Sequence, residues 1–174
     1  MRILNKEEIK NSIRAAFKNV TKGEGIGLRE ARVVHDGGSK QRQQAARKKD
    51  IEKHWWEFPV ELRSFLDTAL LFTDTEGFRF LLPASMFVEL EEGTAGGTTY
   101  TKLLQDSRHH HAQSITASRI AAQYDFNQEQ VHAIALFLRW QLEEHAGFLS
   151  SDELRSISDW LKLGGVEMPE VKPS

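Results

Sequence analysis

Cysteine is absent from these 174 residues. That gap removes disulfides, thiolate zinc sites, iron–sulfur ligation and a thiol nucleophile from consideration. A chain of this length buries about 70% of the surface its unfolded form exposes and needs no covalent staple. The lack of cysteine suits a reducing cytoplasm. Long apolar runs are missing too. The richest, Ala69-Leu70-Leu71-Phe72 and Phe80-Leu81-Leu82-Pro83-Ala84, fall far short of the roughly 20 residues a bilayer crossing requires. The opening Met1-Arg2-Ile3-Leu4-Asn5-Lys6-Glu7-Glu8 turns acidic before any apolar run, unlike a secretory signal. No internal repeat and no strong period-two alternation of a strand is visible.

What remains is the composition of a soluble globular domain, 40% hydrophobic and 28% charged, with a formal charge of -2. The small net charge conceals a division. Residues 1–53 hold 14 basic against 7 acidic side chains, and residues 54–174 hold 9 against 18. The basic excess is densest at Lys40, Arg42, Arg47, Lys48 and Lys49, with no acid from Lys40 to Lys49.

Helical spacing accounts for most of the chain. Asn5 is a good N-cap with Glu7 and Glu8 in the following turn, and Ile9, Ile13, Ala16, Phe17 and Val20 form one stripe. After Gly23, Gly25 and Gly27 the pattern dissolves. Val33-Val34-His35 reads as a short strand turning at Asp36-Gly37-Gly38, and Ser39 to Lys49 as an exposed helix or a mobile loop. Pro59 opens an apolar helix through Phe72, taken as the central one. The next helix carries Pro83 inside it, which predicts a kink or two pieces near 76–82 and 84–91. Residues 100–126 fit no single pattern. Asn127 with Gln130, and Ser150 with Glu153, resemble capping boxes ahead of the stripes Val131, Ile134, Ala135, Leu138, Leu142 and Leu154, Ile157, Trp160, Leu161. The expectation is all-α, an irregular bundle of five to six helices in one domain over residues 1–166. It carries a basic polar insertion at 36–50, a flexible linker at 93–99 and a frayed tail at 167–174.

Few residues combine into chemistry. His109-His110-His111 invites a metal, but neighbours on a helix point about 100° apart and the spacing matches no zinc motif; an exposed polar turn is the better reading. Gly23-Glu24-Gly25-Ile26-Gly27 follows a helix and carries an acid, so it is no phosphate cradle. His132 and His145 have no relay partner at a suggestive spacing. Trp55-Trp56 beside His54 is the most unusual local feature: one indole can fill the core while the other reaches the surface, where Trp is enriched at binding hot spots.

Three sets of residues look familiar together. Ile9 to Phe17 begins the chain. Trp56-Glu57-Phe58-Pro59 and Gly77-Phe78-Arg79-Phe80-Leu81-Leu82-Pro83-Ala84 come later. This combination resembles a family of small bacterial proteins of unknown function that share an I-x-x-A-F first helix, a tryptophan followed by a proline-led helix, and a G-F-R-F-L-L-P-A-like segment. The resemblance implies core and helix-junction residues and no catalytic set. Arg79, its polar exception, is expected to anchor a buried carboxylate or cap carbonyls, and less often to meet a ligand. The chain departs from the pattern at 36–50 and 93–99.

The function expected is therefore non-catalytic and without cofactor or metal: protein binding in the bacterial cytoplasm, in its most concrete form immunity against a cognate toxin. Trp55, Trp56, Glu89, Glu91 and Glu92 are the contact candidates. The alternative is a nucleic-acid-associated regulator acting through Lys40, Arg42, Arg47, Lys48 and Lys49.

Overall fold

The computed structural model describes residues 5–94, 97–104, 116–145 and 149–169. Among these the fold is all-α. It has ten α-helices and two 3₁₀ turns, more than the five to six helices expected, because the apolar stretch after Pro59 divides into short pieces and Leu28–His35, Lys40–Arg47, Thr98–Leu104 and Ala117–Gln123 are helical as well. None is long and apolar enough to cross a membrane among the described residues.

Three helices follow the sequence pattern closely. In α1 (Lys6–Phe17) the Asn5 side chain accepts the Glu7 N–H at 3.0 Å, and Ile9, Ile13 and Phe17 are wholly buried. In α9 (Gln128–His145) Asn127 and Gln130 bond each other's backbone N–H reciprocally, at 2.9 and 3.1 Å. In α10 (Ser151–Leu163) Ser150 and Glu153 do the same. Helix α9 packs between α1 and α10. Val131, Ile134, Phe137, Leu138, Trp140 and Leu142 are buried around most of its circumference, as a central helix requires.

The other central helix is α6 (Thr75–Glu92), and it runs unbroken through Pro83 instead of splitting there. Proline in a helix interior costs about 3 kcal/mol. Phe78, Phe80, Leu81 and Leu82 before it, and Met86 and Leu90 after it, are all buried. At about 1.5–3 kcal/mol for each large apolar side chain, packing on every side outweighs the lost hydrogen bond.

The segment 60–72 is not one central helix. It divides into α4 (Val60–Arg63), α5 (Leu66–Ala69) and a 3₁₀ turn (Leu70–Phe72). Three-residue bonds, Leu62 N to Pro59 O and Phe65 N to Leu62 O, tighten it. Val60 and Leu71 are exposed, so its apolar residues do not share one buried face. Short helices α7 (Thr98–Leu104) and α8 (Ala117–Gln123) organise part of the region without pattern. The start of α7 falls within the expected 93–99 linker.

Val33-Val34-His35 is not a strand but the last turn of α2 (Leu28–His35). Asp36-Gly37-Gly38 is its stop. Gly38 N bonds Val33 O, Gly37 N bonds Val34 O, and Gly37 takes φ +67°, the Schellman arrangement. The basic stretch that follows is the helix α3 (Lys40–Arg47), packed on α2 with only Ala46 buried. Arg47 holds it by a two-pronged bond to Glu30, Nε to Oε2 at 2.7 Å and Nη2 to Oε1 at 3.1 Å.

The loop before α2 is stapled by carboxylates from elsewhere. Gly27 stands at the N-cap of α2 with no side chain to offer, and buried Asp50 accepts the N–H groups of Arg29 (2.8 Å) and Glu30 (3.1 Å) in its stead. A Cβ on Gly27 would lie 2.4 Å from the Asp50 carboxyl carbon, so the missing side chain is what admits the acid. Asp74, the N-cap of α6, binds both Gly77 N (2.9 Å) and Ile26 N (3.0 Å), and Gly25 lies so close that a Cβ would meet Gly77 N at 2.4 Å. The glycine-rich segment thus serves close packing. We expect Asp50→Ala to cost about 1–3 kcal/mol of stability through the uncapped α2, read as a lower denaturant midpoint. An unchanged midpoint would refute the cap.

Candidate functional site

One concavity among the described residues is a groove of about 600 Å³, a size typical of ligand sites. Its geometry begins at the 3₁₀ turn Trp55–Glu57. The Glu57 carboxylate accepts the N–H groups of Lys53 (2.9 Å) and His54 (3.1 Å), which fixes the turn and holds that carboxyl below its usual range. Trp55 points inward. Its indole N–H donates to Phe17 O at the end of α1, 3.1 Å away, and the ring packs against Phe87. Trp56 points outward and remains 48% exposed, stacked on His54 with ring centroids 4.4 Å apart and planes 2° from parallel.

The floor of the groove is apolar: Phe58 and Leu66 beside Trp55, with Ala84, Phe87 and Val88 from α6. The rim is charged. It is lined by Arg14 and Lys18, one turn apart at the C-terminal end of α1, by Arg63 from α4 and by Glu91 near the end of α6. The Arg14 guanidinium lies over the Phe87 ring at 4.6 Å, a cation–π contact. Glu91 is shared loosely by Lys10 at 3.7 Å and Arg63 at 3.6 Å, and Lys18 makes no ion pair among the described residues.

The contact candidates from the sequence are thereby separated. Trp55, Trp56 and Glu91 line the groove, whereas Glu92 is exposed at the end of α6 without lining it. Glu89 is buried within the bundle, its Oε2 accepting from Gln141 Nε2 at 2.8 Å. Lys40, Arg42, Lys48 and Lys49 are exposed on and just after α3, apart from the groove, while Arg47 is committed to Glu30. His109, His110 and His111 lie outside the described residues. Arg14, Lys18 and Arg63 escaped the sequence reading. The i, i+4 spacing of the first two on the polar face of α1 is the one signal that could have found them.

Arg79 does not anchor a buried carboxylate. Its Nη1 lies 3.6 Å from Asp125, which is itself exposed. It lines a second, polar hollow of about 380 Å³ together with Glu76, Glu129 and Gln130.

Burial pushes the Glu89 carboxyl up to about 7. The nearby Asp67 charge adds to the shift, and hydrogen bonds from Thr99 and Gln141 oppose it. Thr99 is buried, 2.7 Å from the Ser85 hydroxyl, and its backbone N–H is held by Asp67 at 3.2 Å. The folded state therefore binds a proton that the unfolded chain releases near pH 4.5. Stability falls as pH rises from there to about 7 and levels off above, by on the order of 3 kcal/mol. Glu89→Gln is expected to flatten that slope relative to wild type and to raise the melting temperature at pH 8 by several degrees. A parallel pH profile in the variant would show that Glu89 is not the responsible group.

No curated protein and no solved structure matches this chain. A family model does, across residues 5–161. That span takes in α1, both central helices, the groove and nearly all of α10. The chain belongs to a family of unknown function, DUF6714.

Proposed function

We propose that this protein acts by binding, without catalysis, and that the groove beside Trp56 docks a segment of another protein. The observation that carries this reading is the half-exposed indole at the edge of an apolar hollow ringed by charge. A large ring kept partly in water supplies contact area at low entropic cost, and such residues dominate binding energy at interfaces. Val60, on the adjoining α4, adds exposed apolar surface.

The narrower form of the proposal makes the partner a toxin polypeptide and this chain its immunity protein, working in the bacterial cytoplasm. Small size, a single helical bundle and a binding groove suit inhibition by occlusion. The test is co-expression with the toxic domain of a polypeptide encoded beside this one. Wild type is expected to restore growth, and Trp56→Ala to weaken binding at least about tenfold with little change in melting temperature. Unrelieved toxicity overturns the toxin form, and undiminished binding by the Trp56 variant overturns the groove as the docking site.

A second reading rests on α3. Lys40, Arg42, Lys48 and Lys49 are exposed and make no ion pair among the described residues, which leaves four cations free for phosphates. Binding of duplex DNA or RNA would then weaken steeply with salt, with a logarithmic slope near -3 to -4 for four contacts. Replacing the four by Gln without altering retention on the nucleic acid would dispose of this reading.

A further inference from the structure

Resting on the docking reading, the geometry points to an acidic segment with an apolar anchor as the groove's occupant. The first argument is charge. Three cations, Arg14, Lys18 and Arg63, border the groove against one carboxylate, Glu91. That carboxylate is already drawn toward Lys10 and Arg63, and Lys18 makes no ion pair among the described residues. Although residues 54–174 are acidic as a whole, the rim of this groove presents the opposite sign to an arriving partner.

The second argument is hydrogen-bond inventory. Guanidinium and ammonium groups only donate, and a carboxylate only accepts. Apart from Glu91, the charged side chains on the rim are all donors, so an acidic side chain or chain terminus satisfies them and a basic or amide-bearing one does not. The floor adds no competing polar demand from Trp55, since its indole N–H is consumed by Phe17 O. Over its apolar floor the groove therefore accepts hydrocarbon, and at its border it accepts negative charge.

The third argument is reach. The lining residues of α6 run from Ala84 to Glu91, about 10 Å at 1.5 Å per residue. That length matches two turns of a helix, whose one apolar side chain fills the floor while acids one turn away meet Arg14, Lys18 and Arg63.

The experiment is selection of random peptides of about a dozen residues displayed against the full-length protein, with recovered peptides re-measured by anisotropy. The expected result is enrichment of sequences that combine several acids with an aromatic or branched aliphatic anchor. Their affinity should drop at least about tenfold in Trp56→Ala. It should drop by a similar factor in the double variant Lys18→Glu, Arg63→Glu, and several-fold between about 50 and 500 mM salt. Circular dichroism melts confirm that the variants remain folded. Peptides that require Trp56 yet carry no net negative charge, or that bind the charge-reversed variant equally well, overturn the inference and leave the groove a docking site. Recovery of no Trp56-dependent peptide overturns both.

Discussion

One hydrogen bond governs how the surface of this protein is laid out: the Trp55 indole donating to the carbonyl of Phe17 at the end of α1. It fixes a large ring inside the bundle, against Phe87 on α6. In a 3₁₀ turn successive side chains diverge by about 120°, so burying one member of the Trp pair sends the other outward. Trp56 is exposed because Trp55 is not. The same bond ties the turn to α1, whose polar face bears Arg14 and Lys18, and so sets the cationic rim opposite the apolar floor. The groove is a consequence of where two helices and a turn are joined.

The helices α1, α9 and α10 were legible in the sequence, since each carries both a capping residue and a repeat every three to four positions. In α6 a local penalty misleads. Pro83 reads as a break because local cost is visible in the chain, while the surrounding contacts that outweigh it are not. The stretch from Val60 to Phe72 fails for the reverse reason. Its apolar residues suggest one strong helix, but Val60 and Leu71 stand in water. Gly37-Gly38 is a turn signal for a hairpin and a helix stop alike, and only the partners of its N–H groups, Val34 O and Val33 O, decide between them.

The candidate site was half legible. The Trp pair announces itself, but the residues that give the groove its charge come from α1 and α4, far apart in the chain and ordinary in composition. Glu89 illustrates the opposite error. Grouped with Glu91 and Glu92 among the contact candidates, it is in fact turned inward to Gln141 and Thr99. Glu89 and Glu91 are two positions apart, which on a helix places them on nearly opposite sides. Neighbourhood in sequence was a poor guide to a shared surface.

The cap that Asp50 lends to α2 reaches across about 20 residues, and its consequence concerns cooperativity. Helix α2 spans only Leu28–His35, too short to persist alone in water. Its first turn is closed by an acid that lies beyond α3 in the chain, and α3 is itself pinned to α2 by the Arg47–Glu30 pair. The two helices are thus obliged to order and to melt as a pair. Because Leu28 and Ala31 seat α2 in the main core, the basic arm is coupled through α2 to the bundle as a whole.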